Sequence, residues 1–177
     1  PFSYGGGIRS IADIKALFDA GVDKVIMNTY AIENPNFISE AASIYGSQSI
    51  VVAIDVKKDM FGKYKVFTRG GRKKTNLDPM EHAVNMEKMG AGELFLNSID
   101  RDGTMQGYDP ILIKKVSHAV NIPVVACGGA GKIEDFAEAV ASGASAVSAG
   151  SFFVFHGKRK AVLITYPLLE ELERILN

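Results

Sequence analysis

Two stretches of the chain, YGGGIRSIADIKALFDAGVDKVIMNT (4–29) and ACGGAGKIEDFAEAVASGASAVSAGS (126–151), carry one pattern. Shifted by 122 positions, they align without a gap. Gly6 and Gly7 fall on Gly128 and Gly129, Ile11 on Ile133, Asp13 on Asp135, Gly21 on Gly143, Val25 on Val147 and Thr29 on Ser151. Each copy reads as a glycine-rich loop, a helix, a glycine that ends it, an apolar strand and a hydroxyl residue at the strand's end. Glycine serves where φ must be positive. A glycine-rich loop before a helix also brings backbone N–H groups close to a phosphate. One such loop is no more than a turn, whereas a matched pair in the same element order marks a duplicated unit.

Outward from these copies the same rhythm continues. SIVVAIDV (49–56) is a nearly continuous apolar run, as in a strand buried on both faces. ELFLNSI (93–99) precedes a helix whose N-cap is Asp109 and whose first residue is Pro110. IPVVAC (122–127) precedes a helix that Gly143 ends, NPNFISEAASIYG (34–46) is helical with Pro35 in its first turn, and LLEELERIL (168–176) closes the chain as an amphipathic helix. Strand–helix alternation implies a parallel sheet. A repeat of this length holds four βα units of about 30 residues. Two such halves make a (β/α)8, or TIM, barrel of about 250 residues. The expected fold class is α/β: an incomplete barrel with about six of its eight units, counting a strand stub at 1–4. Residues 1–177 then form a single partial domain (units 3–8), with about 70 residues expected before Pro1. Six units alone leave strand edges unpaired, so an inactive, self-associating piece is expected. GKYKVFTRGGRKKT (62–75) interrupts the rhythm as a hairpin insert turning at Gly70-Gly71. It is either a solvated hairpin or a basic flap over an anionic ligand.

Bulk composition narrows the partners. Lys+Arg and Asp+Glu balance at 20 each, which gives no basic surface for nucleic acid or membrane. Apolar runs are too short to cross a bilayer. The lone Cys127 leaves no intramolecular disulfide and fits a reducing cytoplasm. Gly131-Lys132 is not a Walker loop, because Ala126 stands where its first glycine belongs. Counted from Gly5, a dinucleotide fingerprint fails at Ser10. His82, His118 and His156 are scattered, so packing or surface roles are expected and no metal or cofactor is implied. Cys127 reads as a small packing residue.

In a barrel, functional loops follow the carboxyl ends of the strands. Gly7 with Asn28 and Thr29 forms one candidate cradle there, and Gly129 with Gly150 and Ser151 forms another. Units four apart lie on opposite sides of the mouth, which suggests one elongated substrate with a phosphate at each end. Asp55 closes IVVAID, and Asp100 and Asp102 follow LFLNS. A carboxylate at such a strand end serves general acid–base chemistry once its surroundings shift its pKa, although Asp100 and Asp102 also suit loop capping.

GGGIRS, DKVIMNT, AIENPN, GSQSIVVAID, GAGELFLNSIDRDGTMQGYD and ACGGAGK together resemble the cyclase subunit family of imidazole glycerol phosphate synthase. The resemblance covers essentially the whole chain. It implies a ribulose-phosphate-binding barrel that takes ammonia from a glutaminase subunit in a heterodimer. Its substrate is a bis-phosphate ribulosyl aminoimidazole carboxamide, and its products are imidazole glycerol phosphate and an aminoimidazole carboxamide ribotide, in histidine biosynthesis. It assigns Gly7, Asn28 and Thr29 to a first phosphate site, and Gly103, Gly129, Gly150 and Ser151 to a second. Asp55 becomes one of two catalytic aspartates, Asp100 and Asp102 become substrate contacts, and Lys24 and Glu93 join a charged ring where ammonia enters. The other catalytic aspartate belongs to a first strand absent here. HGKRKAVLITYP (156–167) looks more like a paralogous branch that serves acetamidino modification of surface-polysaccharide sugars. Two rivals keep the same barrel: a phosphosugar isomerase and a non-enzymatic subunit that docks a partner.

Overall fold

The computed structural model describes residues 1–157 and 161–176. Residues 158–160, within the stretch that suggested the paralogous branch, lie outside the described residues. The chain runs β1 (Ser3–Gly5), α1 (Ile11–Asp19), β2 (Lys24–Met27), α2 (Thr29–Glu33), α3 (Asn36–Tyr45) and β3 (Ile50–Lys58). The hairpin strands β4 (Tyr64–Thr68) and β5 (Lys73–Lys74) follow, then α4 (Pro79–Lys88), β6 (Glu93–Ser98), α5 (Pro110–Ser117) and β7 (Val124–Cys127). The last elements are α6 (Glu134–Ala141), β8 (Ala146–Ser148), α7 (Ser151–Val154), β9 (Phe155–His156), β10 (Ala161–Val162) and α8 (Leu169–Leu176).

Six parallel strands lie in the order β1-β2-β3-β6-β7-β8, an incomplete (β/α) barrel. Side chains alternate between the faces of a strand, and here the two faces have different fates. Val25, Ile50, Val52, Ile54, Leu94, Leu96 and Val124 are all almost wholly buried. They belong to the core that packs beneath helices such as α3 and α4 on β3 and α5 on β7. The alternate residues Ile26, Ala53, Asp55, Phe95, Asn97 and Cys127 are half-buried on the concave face.

The sequence repeat persists to the level of strand register. Ser3 pairs with Lys24 in the first copy, and Val125 with Ala146 in the second, the same offset. Helix α2 begins at Thr29 and α7 at Ser151. The aligned aspartates share one task. Asp13 Oδ2 accepts the backbone N–H groups of Arg9 and Ser10, both at 2.9 Å. Asp135 Oδ2 accepts those of Gly131 and Lys132 at 2.8 and 3.0 Å. Each aspartate thus ties its glycine-rich loop to the helix that follows, and the loop's shape is set before any ligand arrives.

Two details differ from the sequence reading. The segment after β2 divides into α2 and α3, with Pro35 as the N-cap of α3 rather than a residue of its first turn. β3 also runs past the barrel: Asp55–Lys58 pairs antiparallel with Tyr64–Phe67, so one strand serves both the barrel and the hairpin.

Candidate active site

Asp55 pairs in register with Asn97, Asn97 with Cys127, and Cys127 with Ser148. These four residues form a polar row across β3, β6, β7 and β8, near the carboxyl ends of the strands. One layer below, Ala53, Phe95 and Val125 form an apolar row. At the opposite end of the concave face Lys24 Nζ reaches Glu93 Oε2 at 2.6 Å, across the intervening β3. The concave surface is thus layered: an ion pair at the amino ends, an apolar middle and a polar top.

Asn97 Nδ2 donates to Asp55 Oδ1 at 3.1 Å. Burial pushes the Asp55 carboxyl above its ordinary range; hydrogen bonds from Asn97 and Asn28 oppose that shift, and the negative charge of Asp102 adds to it. Asp55 opens into a cavity of about 560 Å³ that also exposes Gly7, Asn28, Thr29 and Arg69. That volume accommodates a small phosphorylated ligand. The first cradle and the strand-end carboxylate therefore share one space.

The second set is arranged differently. Gly103, Gly129, Gly150 and Ser151 lie outside that cavity, the three glycines on the loops after β6, β7 and β8 and Ser151 at the start of α7. Gly129 has φ +114°, and a β-carbon there would collide with the Gly107 carbonyl. Gly107 donates its N–H to the Gly129 carbonyl at 2.8 Å. The bare α-carbon at 129 is thus required by loop-on-loop packing. Gly150 has φ −108° and open space around it. Asp100 Oδ2 accepts the backbone N–H of Lys58 at 2.8 Å, a capping contact at the foot of the hairpin. Asp102 is exposed on the same loop, and its charge bears on Asp55 and Cys127.

Burial, reinforced by Asp102, pushes the Cys127 thiol up to about 11, so it lines the site as a neutral group. Sequence reasoning missed Asn97 and Ser148. The alternation in ELFLNS signals Asn97, since Leu94 and Leu96 face the helices and position 97 must face the concave side. It also missed Arg101, whose guanidinium donates to the carbonyls of Gln106 and Gly107 at 3.0 and 3.3 Å and closes the loop after β6. Among the described residues no three His, Cys, Asp or Glu side chains converge as a metal site.

The sheet defines an incomplete (β/α) barrel, and its candidate site groups gather at the carboxyl ends of the strands. Residues 1–160 match the family described as histidine biosynthesis protein, and the chain belongs to that family. It is 52% identical over 156 residues to imidazole glycerol phosphate synthase subunit HisF of Pyrobaculum aerophilum. It is 46% identical over 157 residues to the subunit HisF of Alkaliphilus metalliredigens. Each match covers 88% of this chain, and 61% and 62% of those proteins. A Pseudomonas aeruginosa relative designated hisF2 is 44% identical over 174 residues, 98% of this chain and 69% of its own length. The chain thus spans between three-fifths and seven-tenths of the length of these relatives.

Proposed function

We propose that residues 1–177 are the larger part of a cyclase subunit of imidazole glycerol phosphate synthase, acting in the cytoplasm beside a glutaminase. Ammonia from the partner enters past Lys24 and Glu93, crosses the apolar layer and meets a bis-phosphate ribulosyl aminoimidazole carboxamide at the polar top. Gly7, Asn28 and Thr29 take one phosphate. Gly103, Gly129, Gly150 and Ser151 take the other, and Asp100 and Asp102 contact the substrate between them. Asp55 carries the proton traffic: carbon–nitrogen bond formation needs a group that removes a proton from the attacking nitrogen and one that protonates the departing side. A carboxyl raised toward the working pH serves both roles better than an exposed one. The observation that carries this reading is Asp55, half-buried beside the first cradle with its pKa raised.

Asp55→Asn in the full-length protein tests it. Asparagine keeps the shape and can still accept from Asn97. Turnover with free ammonium should fall about 10²–10⁴-fold, with substrate affinity little changed. Folding provides the control. Because burial penalises the charged form, ionised Asp55 costs stability at neutral pH, and the cost disappears as pH falls below its raised pKa. The variant should therefore be no less stable than wild type at pH 7. Turnover within a few-fold of wild type would assign Asp55 to structure. A second reading, the polysaccharide branch, rests on the resemblance that HGKRKAVLITYP (156–167) carries. It keeps the same site and changes only the pathway served.

A further inference from the structure

The hairpin insert ends on the first cradle. Arg69, at its tip, donates its backbone N–H to Thr29 Oγ1 at 3.0 Å, forty positions away in sequence. Arg69 and Gly70 border the same cavity as Gly6 and Gly7. The tip is therefore fastened across the mouth where the first phosphate would sit, and Arg69 presents a guanidinium there.

Three features of Arg69 are unexplained by the hairpin alone. Its φ is +56°, in the left-handed region that disfavours any residue with a β-carbon. Gly70 and Gly71 follow at +64° and +78°, so a third glycine at 69 would make the turn with less strain. Strain of this kind concentrates where a side chain has a use. Next, the guanidinium's one charged partner among the described residues is Glu33 at 3.7 Å, and both side chains are well exposed. That separation exceeds a good hydrogen bond, and exposed pairs of this kind contribute little, so the guanidinium can exchange partners. Last, the cavity border carries two carboxylates, Glu33 and Asp55, against two guanidinium groups, Arg9 and Arg69. A phosphate dianion entering beside Glu33 needs a cation close by, and Arg69 already sits against Glu33.

We propose that Arg69 is a phosphate-binding residue of the first cradle: it exchanges Glu33 for the substrate's phosphate and selects a substrate whose end on that side is a dianion. The guanidinium suits this task because its planar fork binds phosphate oxygens in pairs, which a lysine cannot reproduce. The hairpin is then part of the binding site, and Thr29 serves twice, anchoring the tip and lining the cradle. This inference rests on the reading of Gly7 with Asn28 and Thr29 as an anion site.

The test uses inorganic phosphate and the full-length protein labelled with [15N]glycine. Wild type should show saturable shifts of the Gly6 and Gly7 amides. Arg69→Ala should weaken that binding about ten- to hundredfold, the range expected for hydrogen bonds to a charged group. Arg69→Lys should recover part of the loss. Arg72→Ala, on the same hairpin, should stay within about twofold of wild type, and unchanged circular dichroism should show that all variants fold. If Gly6 and Gly7 respond in wild type but Arg69→Ala binds equally well, the role of Arg69 is overturned while the cradle stands. An equal loss in Arg72→Ala overturns it too, in favour of diffuse charge on the hairpin. If the wild-type glycines do not respond at all, the cradle itself fails and this inference with it.

Discussion

At the residue scale, Asp13 and Asp135 teach most. The repeat puts them in register, yet the sequence alone gives them no task; only the backbone shows that each gathers two N–H groups of its loop. Gly129 is the converse case. Its place in a glycine-rich loop was legible, but the Gly107 carbonyl that excludes a side chain there comes from a distant loop. His82 was readable as a helical residue with a packing or surface role; the structure buries it, and its pH response follows from that burial. It is 4% exposed, its Nε2 lacks a hydrogen-bond partner, and burial lowers its pKa from 6.5 to about 4. The unfolded chain therefore takes up a proton below about pH 6.5 that the folded chain refuses until about pH 4. Stability falls as pH drops through this window, by on the order of 3 kcal/mol. His82→Leu should flatten that slope in urea unfolding measured between pH 6.5 and 4 and should not lower stability at pH 7. An unchanged slope would place the acid sensitivity elsewhere.

At the element scale, the helices and strands followed local signals closely. Asp109 accepts the Leu112 N–H as the N-cap of α5, and Ser10 and Asp13 complete a capping box on α1. The hairpin was legible as a hairpin from its alternation and its paired glycines. Where its tip rests was not, because Thr29 lies forty positions away. Its foot is held by contacts of similar range. Tyr64 Oη donates to both carboxylate oxygens of Asp109 at 3.0 and 2.9 Å. Lys58 lies 5.0 Å and Lys115 5.6 Å from the centre of the Tyr64 ring. Tyr64→Phe keeps the ring and removes the one hydroxyl among the described residues that donates to Asp109. It should cost about 1–3 kcal/mol, because a buried carboxylate loses a partner. It should also loosen the hairpin, seen as faster hydrogen exchange at Val66 and Thr68. Equal stability and equal exchange would show that the Leu112 N–H and the Lys58 ammonium suffice to hold Asp109.

At the scale of the whole molecule, the repeat made the barrel readable, since two copies sharing element order and register leave few other parallel folds. The layering of the concave face was only half readable. Lys24 and Glu93 stood out as charges at strand starts, whereas the row Asp55, Asn97, Cys127 and Ser148 emerges only from strand register. Among the described residues, β1 pairs only with β2, and β8 only with β7. A parallel sheet loses such edges by closing, and the relatives named above are longer than this chain. We propose that two further βα units close the sheet between β8 and β1 and supply a second carboxylate facing Asp55. The most direct measurement is ammonium-dependent turnover of the bis-phosphate substrate by residues 1–177 alone and by the same chain extended at its amino end by about 70 residues, or two βα units. Turnover by the extended protein and none by the shorter one is the expected result. Turnover by residues 1–177 alone, or none by the extended protein, would contradict it.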